Sequence, residues 1–273
     1  MANTLENWLR AAPLPLPEAR ILLQHCTGLS RVQLLTRGRD ALGGDNEAAL
    51  AALVQRRLAG EPMAYIVGVR EFYGRTFIVN DAVLIPRPET EHLVEAALAR
   101  LPPQGRLWDL GTGSGAVAVT VALERPDVHV RASDISADAL AVAARNAASL
   151  GAKLEFAQGS WFAVDRPSET QAYDVVVSNP PYIEAGDVHL QQGDLRFEPQ
   201  QALTDFSDGL SCLRALAAGA PHVLKAGGWL LLEHGYNQGE AARALLVQHD
   251  FVEVATLPDL AGLDRITLGR KPA

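Results

Sequence analysis

The sequence predicts an α/β protein whose larger part is a doubly wound, mainly parallel β-sheet. Three observations support this fold class. From residue 106 onward, short apolar strands alternate with amphipathic helices. Residues 1–60 carry apolar side chains at helical spacing, and residues 61–87 are rich in β-branched and aromatic side chains. We therefore expect a small N-terminal helical bundle at 1–65, a β-hairpin linker at 66–85 and an α/β domain at 86–273.

The N-terminal region contains the start and stop signals of short helices. Ser and Asp side chains can cap a helix N-terminus, and glycine commonly ends a helix in the left-handed conformation. The predicted helices are Ala19–Thr27 (ended by Gly28), Arg31–Thr36 (capped by Ser30) and Glu47–Ala59 (capped by Asp45 and ended by Gly60). A core of this size is small, so we expect the bundle to be attached to the larger domain.

Residues 61–87 change to the composition of β-strands, interrupted by Gly68 and Gly74. They predict a hairpin with its turn near Gly74. Prolines at 86 and 88 then keep the segment 84–91 extended, and a helix is expected from Glu89 to Leu101.

The alternating elements of the larger domain follow in order. The predicted strands are Leu107–Leu110, Val128–Ser133, Leu154–Ala157, Tyr173–Ser178, Trp229–Glu233, Phe251–Leu257 and Arg265–Leu268. The predicted helices are Ser114–Glu124, Ala137–Leu150, Leu210–Leu224 and Gln238–Gln248. No helix separates the last two strands, so we expect an antiparallel end to the sheet.

Composition narrows the classes of function. No run of 18 apolar residues is present, Cys26 and Cys212 match no metal or redox spacing, and the N-terminus lacks a signal-peptide core, so a cytoplasmic protein without a metal or a membrane association is expected. The net charge is −8, with 9 Lys and Arg against 7 Asp and Glu in residues 1–80 and 15 against 25 in residues 81–273. An acidic larger domain is unfavourable for duplex binding, and no direct contact with nucleic acid is expected.

A glycine-rich loop, Asp109–Gly115, joins the first strand of the alternating region to its helix. Such a loop lets a ligand approach bare main chain beside a helix N-terminus. Asp134 ends the next strand, 19 residues after Gly115, where it can accept hydrogen bonds from ribose hydroxyls. Both a nicotinamide dinucleotide and S-adenosylmethionine contain a ribose. Asp109 would repel a pyrophosphate but suits a cationic amino-acid tail, which favours S-adenosylmethionine.

The residues Asn179-Pro180-Pro181-Tyr182 follow a buried strand and form a second polar corner. The prolines stop the strand and keep the chain extended. The corner presents an amide, backbone carbonyls and an aromatic ring at the carboxyl end of a strand, where open α/β sheets bind ligands. These groups suit a planar nitrogen substrate, either a carboxamide or an exocyclic amine. Trp161, after Gly159-Ser160, is a candidate for stacking on or flanking an adenine.

Taken together, the chain resembles class I, seven-stranded S-adenosylmethionine-dependent methyltransferases and, more closely, the protein release factor glutamine methyltransferases of the HemK/PrmC family. The resemblance covers nearly the whole length. Its most specific parts are Pro86-Arg87-Pro88-Glu89-Thr90-Glu91 and Asn179-Pro180-Pro181-Tyr182-Ile183. Further matching residues are Arg57-x-x-Gly60-Glu61-Pro62, Gly68–Phe72, Asp109–Gly115, Arg196–Pro199, Gly227-Gly228 and Glu233-His234-Gly235.

The resemblance implies methylation of the side-chain amide nitrogen of Gln in the Gly-Gly-Gln motif of bacterial peptide-chain release factors, with the helical bundle as the partner-binding domain. It implies cofactor contacts by Asp109, Gly111, Thr112, Gly113, Ser114, Gly115, Asp134, Trp161 and Asn179. It implies substrate contacts by Asn179, Pro180, Pro181 and Tyr182, to which we add Arg87 and Glu89 as candidates. Asn179, Pro180 and Tyr182 are the expected catalytic residues.

An amide nitrogen is a weak nucleophile, and the sequence offers no clear general base at the corner. We therefore expect catalysis by positioning, with the Asn179 Oδ1 and the Pro180 carbonyl accepting the two amide hydrogens and Tyr182 packing against the amide plane. Two other functions remain open at this stage. One is an adenine-N6 or cytosine-N4 nucleic-acid methyltransferase, which faces the same chemistry on a flipped base. The other is a non-catalytic adapter that binds a partner through its helical domain.

Overall fold

The computed structural model describes residues 3–164 and 172–273. The chain forms two compact units, Met1–Gly68 and Val69–Ala273. In the described residues, none of the helices combines the length and the apolar character that crossing a membrane requires.

The first unit is a helical bundle. Its core is formed by buried leucines such as Leu22, Leu23 and Leu50. Its helices are α1 (Leu5–Ala11), α2 (Leu16–Thr27), α3 (Arg31–Thr36), α4 (Gly44–Leu58) and α5 (Met63–Val67).

Two of the predicted helix ends are confirmed and one is wrong. Gly28 follows α2 in the left-handed conformation, and Ser30 caps α3 in a capping box with Gln33. Helix α4 starts at Gly44 after Gly43 and has no side-chain cap. Asp45 therefore lies inside the first turn, where the helix dipole favours an acidic residue, and the prediction of an Asp45 cap is corrected.

The β-hairpin starts later than expected. Its strands are β1 (Val69–Phe72) and β2 (Arg75–Ile78), paired antiparallel, and Tyr73 and Gly74 both adopt positive φ in the two-residue turn. Residues Met63–Val67 were expected to be extended and instead form α5, which Gly68 ends in the left-handed conformation. Pro62 immediately before α5 and Gly68 immediately after it are typical residues of helix boundaries. The β-branched composition of the segment favours a strand, and the prediction followed the composition.

The second unit is built on one seven-stranded sheet in the order β5-β4-β3-β6-β7-β9-β8. Its strands are β3 (Arg106–Leu110), β4 (His129–Asp134), β5 (Glu155–Gln158), β6 (Tyr173–Ser178), β7 (Leu224–Glu233), β8 (Val252–Pro258) and β9 (Asp264–Arg270). The first five are parallel, and β9 pairs antiparallel with both β7 and β8. The doubly wound sheet and its antiparallel end are confirmed.

Helices pack on both faces of this sheet. They are α6 (Glu91–Leu98), α7 (Ala116–Glu124), α8 (Ala137–Leu150), α9 (Gln200–Leu203), α10 (Ser211–Gly219) and α11 (Gly239–Gln248). Successive strand residues enter opposite cores: Leu107 packs in the cluster that includes α6 and α7, and Trp108 packs in the cluster that includes α10 and α11. This burial of both faces explains the nearly continuous apolar runs of the central strands.

Strand β7 begins earlier in the chain than the predicted strand Trp229–Glu233. The helix expected to reach Leu224 ends at Gly219, because Pro221 cannot donate the hydrogen bond that an α-helix needs, and a short 3-10 turn follows. The strand then begins at Leu224 and passes through an irregularity in its pairing with β6 before Trp229. Gly227 in this irregularity has a φ of 76°.

A single buried side chain fastens the hairpin to the glycine-rich loop. The Asn146 Oδ1 accepts from the Ile78 N–H (2.7 Å), and its Nδ2 donates to the carbonyls of Ile78 (3.0 Å) and Ser114 (2.8 Å). Asn146 lies on α8 and is fully buried. It therefore connects β2, α8 and the end of the loop.

Replacing Asn146 with alanine should lower the free energy of unfolding by about 2–4 kcal/mol, because three backbone groups would lose their partner in a buried place. Chemical denaturation measures this change. The matched control is Arg145→Ala on the same helix at an exposed position, which should change the unfolding free energy by about 0.5 kcal/mol or less. Equal effects of the two substitutions would contradict the role of Asn146.

Candidate active site

The glycine-rich loop and the Asn179–Tyr182 corner lie side by side at the carboxyl edge of the sheet. Strand β3 pairs with β4 on one side and with β6 on the other, and the strand order reverses at β3. Asp109 pairs with Val177, so the loop after β3 and the corner after β6 begin at the same level. This is the topological switch point, where open α/β sheets bind their ligands.

Backbone hydrogen bonds hold the glycine-rich loop in place. The N–H groups of Gly111 and Thr112 both donate to the Ser133 carbonyl at 2.9 Å. Asp134 accepts from the Gly113 N–H through Oδ2 and from the Ser136 N–H through Oδ1, each at 2.9 Å. The predicted ribose acceptor thus also fixes the loop, and each of its oxygens retains a further lone pair for a ligand.

Gly115 has a packing role at the start of α7. Its φ is 83°, and a Cβ at this position would lie 3.1 Å from the Cβ of Ala143 and 3.2 Å from Cγ2 of Val119. The residue thus allows α7 and α8 to approach closely. Gly115 does not line the cavity described below.

Asp109 is a buried carboxyl group at the base of the loop. It is 2% exposed, and its Oδ2 accepts a hydrogen bond from the Thr112 hydroxyl at 2.6 Å. Burial raises the pKa of Asp109 to about 7, with a further contribution from the charge of Asp134. Burial also raises the pKa of Asp134. Since burial disfavours the ionised form of both groups, a nearby positive charge would stabilise both carboxylates.

The corner after β6 is also fixed by hydrogen bonds. The Ser178 hydroxyl donates to the Leu110 carbonyl at 2.6 Å, which connects the ends of β6 and β3. The Asn179 Nδ2 donates to the Thr90 hydroxyl at 3.1 Å, and Oδ1 remains available to accept from a ligand. The Tyr182 carbonyl accepts from the Gln238 Nε2 at 3.0 Å.

These elements enclose a cavity of about 180 Å³. Among the residues predicted to form the site, those that line it are Asp109, Gly111, Thr112, Gly113, Ser114, Asp134, Trp161, Asn179, Pro181 and Arg87. Those that do not line it are Gly115, Pro180, Tyr182 and Glu89. The cavity therefore brings the two motifs together, and the ligand contacts of these residues stay predictions.

Trp161 closes one side of the cavity. Its φ is 45°, a strained backbone conformation for an aromatic residue that costs about 1–3 kcal/mol. Its ring lies near bare main chain, since a Cβ on Gly111 would be 3.4 Å from the Trp161 Cζ3. The ring is thus presented beside the glycine-rich loop, as stacking on or flanking an adenine would require.

Sequence reasoning did not assign several residues that line the cavity. They are Ala82, Val83, Leu84, Pro86, Thr90, Ala116, Val117, Ile135, Ser136, Ala139, Gly159, Ser160, Pro199, Gln201 and Ala202. Thr90 lies inside the Pro86–Glu91 motif, where a single threonine beside charged residues carries no sequence signal of its own. Residues 199–202 belong to the long connection after the corner. No periodic pattern of apolar residues there predicts where they lie in the fold.

The charged residues of the Pro86–Glu91 motif have separate roles. Arg87 forms an ion pair with Glu198, whose side chain is fully buried and whose Oε2 also accepts from the Ile85 N–H at 3.0 Å. Glu198 thus attaches the connection after the corner to the segment before α6. Glu91 accepts from the Tyr73 N–H at 2.8 Å, which is a structural contact with the hairpin turn. Glu89 is exposed.

His234 is a buried structural residue. Its Nδ1 lies 2.8 Å from the Gly235 carbonyl and its Nε2 lies 2.8 Å from the Thr267 hydroxyl. Since a carbonyl can only accept, Nδ1 carries the proton and Nε2 accepts from Thr267 in the neutral ring. Burial lowers the pKa of His234, which agrees with this neutral form.

A third buried carboxyl group, Glu233, lies at the end of β7. No role was predicted for it from the sequence, where it is named only in the family resemblance. It is 1% exposed, and burial raises its pKa to about 7. In residues 3–164 and 172–273, no group of three or more His, Cys, Asp or Glu side chains is arranged to hold a metal ion.

Two family models match the chain, the PrmC N-terminal domain at residues 3–68 and the methyltransferase small domain at residues 89–197. A release factor glutamine methyltransferase from Neisseria gonorrhoeae is 66% identical over 267 residues, which are 98% of this chain and 97% of that protein.

Two solved structures have a similar fold. One is a methyltransferase from Pyrococcus furiosus, with a TM-score of 0.56, 15% identity, and coverage of 85% of this chain and 100% of that chain. The other is a 16S rRNA N2 G1207 methyltransferase from Thermus thermophilus in complex with AdoMet and guanosine, with a TM-score of 0.53, 20% identity, and coverage of 74% and 49%. The predicted class I methyltransferase fold is confirmed. The identity over the whole length also confirms the closer resemblance, and the chain belongs to the release factor glutamine methyltransferase family.

Proposed function

We propose that this chain transfers a methyl group from S-adenosylmethionine to the side-chain amide nitrogen of Gln in the Gly-Gly-Gln motif of peptide-chain release factors. The observation that carries the proposal is one cavity lined by both the glycine-rich loop and the Asn179 corner. The 66% identity with a release factor glutamine methyltransferase over 98% of the chain supports this substrate.

The polar groups that line the cavity are suited to S-adenosylmethionine. When bound, the cofactor supplies an electrophilic methyl group on a positively charged sulfur. Asp109 suits its ammonium group, Asp134 suits the ribose hydroxyls, and the Trp161 ring beside Gly111 suits the adenine. A pyrophosphate would meet the buried carboxyl group of Asp109 and the partly buried one of Asp134 instead, which disfavours a dinucleotide.

The corner is proposed to hold the substrate carboxamide by its two hydrogens. With Nδ2 bound to Thr90, the Asn179 Oδ1 accepts one of them, and the Pro180 carbonyl accepts the other. These contacts reduce the delocalisation of the nitrogen lone pair and aim it at the cofactor site, at a separation of roughly 3–3.5 Å from the reacting carbon. Packing of the Tyr182 ring against the amide plane is part of this proposal.

Positioning, rather than proton abstraction, is expected to supply the rate enhancement. Asp109 is hydrogen bonded to Thr112 at the base of the loop, and Glu198 is paired with Arg87. Neither carboxylate is therefore free to act as a base at the corner. Methyl transfer makes the nitrogen strongly acidic, and one of its two hydrogens is then released as a proton to water.

The N-terminal unit is proposed to bind the release factor outside its Gly-Gly-Gln loop. Helix α3 supports this role because Val32 and Leu35 are exposed, at 68% and 72%. Exposed apolar side chains of this size are suited to contact with a protein partner.

Labelled S-adenosylmethionine tests the substrate class directly. The protein is incubated with a purified release factor, with rRNA and with DNA in parallel, and calorimetry measures cofactor binding. We expect label in the release factor alone and a saturable binding isotherm. Label in nucleic acid would support the base-methylating alternative, and absence of cofactor binding would support the adapter alternative.

A further inference from the structure

Strands β3 and β6 lie beside each other and lead directly into the two motifs of the site. Their paired residues are Leu107 with Val175, Trp108 with Val176 and Asp109 with Val177. Each strand then continues by one residue, to Leu110 in β3 and to Ser178 in β6. Gly111 of the glycine-rich loop and Asn179 of the corner follow immediately. Leu110 and Ser178 are therefore the residues from which the two motifs start.

A side-chain hydrogen bond joins these two residues. The Ser178 hydroxyl lies 2.6 Å from the Leu110 carbonyl oxygen, and because a carbonyl can only accept, the hydroxyl is the donor. Both residues are 0% exposed, so water does not compete for this bond. Neither residue lines the cavity. The bond therefore acts on the spacing of the two motifs rather than on a ligand.

Other contacts hold each motif to its outer neighbour in the sheet. The N–H groups of Gly111 and Thr112 donate to the Ser133 carbonyl, which places the glycine-rich loop relative to β4. On the other side, Ser178 pairs with Leu232, which places the start of the corner relative to β7. The Ser178 hydroxyl instead connects the two motifs to each other, at the level where both strands end.

Methyl transfer depends on the spacing between these motifs. The proposed function places the methyl donor against the glycine-rich loop and the substrate amide at the corner. The reacting atoms have to approach to roughly 3–3.5 Å in line, and a misplacement of about 1 Å can lower a rate by about 100-fold. The position of the loop relative to the corner is therefore a quantity on which the rate depends.

We propose that Ser178 is a positioning residue for methyl transfer, because its hydrogen bond to the Leu110 carbonyl sets the separation between the glycine-rich loop and the corner. The inference rests on the proposed function. Ser178 touches neither the cofactor nor the substrate in this role. It acts through the backbone of the residues that follow Leu110 and Ser178.

Single-turnover methylation of a release factor by the full-length chain tests the inference with Ser178→Ala, which removes the hydroxyl. The rate of methyl transfer should fall by roughly 10- to 100-fold. The Kd of the cofactor and the half-saturating concentration of the release factor should each stay within about threefold of the wild type, because each motif keeps its own contacts. Calorimetric stoichiometry gives the binding-competent fraction, to which the rate is normalised.

Two further variants separate positioning from a loss of stability. Ser178→Thr keeps the hydroxyl on a residue that favours strands, and it should be at least about fivefold faster than Ser178→Ala. Thr267→Val removes another fully buried hydroxyl, one that lies 2.8 Å from the His234 Nε2. It should lower the denaturation midpoint as Ser178→Ala does. Its rate should stay within about twofold of the wild type, because Thr267 lies on β9, which β7 separates from β6.

Three outcomes would overturn the inference while leaving the proposed function intact. They are a normalised rate of Ser178→Ala within about twofold of the wild type, a rate of Ser178→Thr no higher than that of Ser178→Ala, and an equal loss of rate in Thr267→Val. A loss that appears mainly as weaker cofactor binding would also overturn it. If the wild type itself does not methylate the release factor, the proposed function fails and the inference fails with it.

Discussion

Replacing Asn179 with alanine is expected to lower kcat by roughly 100- to 1000-fold, the usual effect of removing one preorganised hydrogen-bonding group from a reaction centre. The variant loses the acceptor that orients the substrate amide, and the Thr90 hydroxyl loses its donor. Cofactor affinity should change much less, because the glycine-rich loop and Asp134 are held by their own hydrogen bonds.

Single-turnover methylation and calorimetry with S-adenosylmethionine measure these two quantities separately. A variant with intact cofactor binding and severely reduced turnover is the expected result. Turnover within a few-fold of the wild type would refute the positioning mechanism, because no other side-chain acceptor of the substrate amide has been proposed.

The second large effect is a pH dependence of cofactor affinity that comes from Asp109. Its pKa in the free protein is raised to about 7, mainly by burial. A bound cation beside it favours the carboxylate and lowers this pKa, so binding releases a proton around neutral pH. Affinity is therefore highest above pH 7 and should fall by up to about tenfold per pH unit as the pH drops below 7.

Calorimetry in two buffers with different ionisation enthalpies counts the released protons. Asp109→Asn is the matched variant: it should bind the cofactor more weakly at pH 8 and should lack the Asp109 contribution to the pH dependence. The cofactor's own titration contributes equally to both pH profiles, so it is removed when the profile of Asp109→Asn is subtracted from that of the wild type. Identical pH profiles for the wild type and Asp109→Asn would contradict the proposed contact.

Because of the same raised pKa, Asp109 lowers the free energy of unfolding of the cofactor-free protein at a pH above its folded-state pKa. A carboxyl group whose pKa is higher in the folded state contributes stability below its unfolded pKa near 4, and this contribution is lost as the pH rises through about 7. At pH 8, Asp109→Asn should therefore unfold at a higher denaturant concentration than the wild type, although it binds the cofactor less well. Buried acidic groups that lower stability are typical of ligand sites.

The parts of the site that could be predicted from sequence are those fixed by local chain geometry. Asp109–Gly115 and Asn179–Tyr182 each follow a buried strand, and parallel strands end at a common edge of the sheet. Strand alternation therefore places both motifs at one edge of the sheet, whereas their contact depends on the pairing of β3 with β6. The antiparallel end of the sheet could be predicted for the same reason, since no helix separates β8 and β9.

The parts that could not be predicted depend on contacts between distant segments. Glu198 reaches the Arg87 segment across more than a hundred residues, and Asn179 reaches the Thr90 hydroxyl from the far end of β6. A single sequence carries no signal for such pairs. The prediction for residues 63–67 was wrong for a different reason. Their β-branched composition favours a strand, but packing of Ile66 in the core of the helical bundle stabilises a helix instead.

Peptide mass mapping shows whether the cavity and the corner together methylate one glutamine side chain. A purified release factor is incubated with the protein and S-adenosylmethionine, then digested and fragmented. We expect one added methyl group on the side-chain amide nitrogen of Gln in the Gly-Gly-Gln peptide, and no methyl group when that Gln is replaced by alanine in the release factor. A methyl group on any other atom, or no modification, would contradict it.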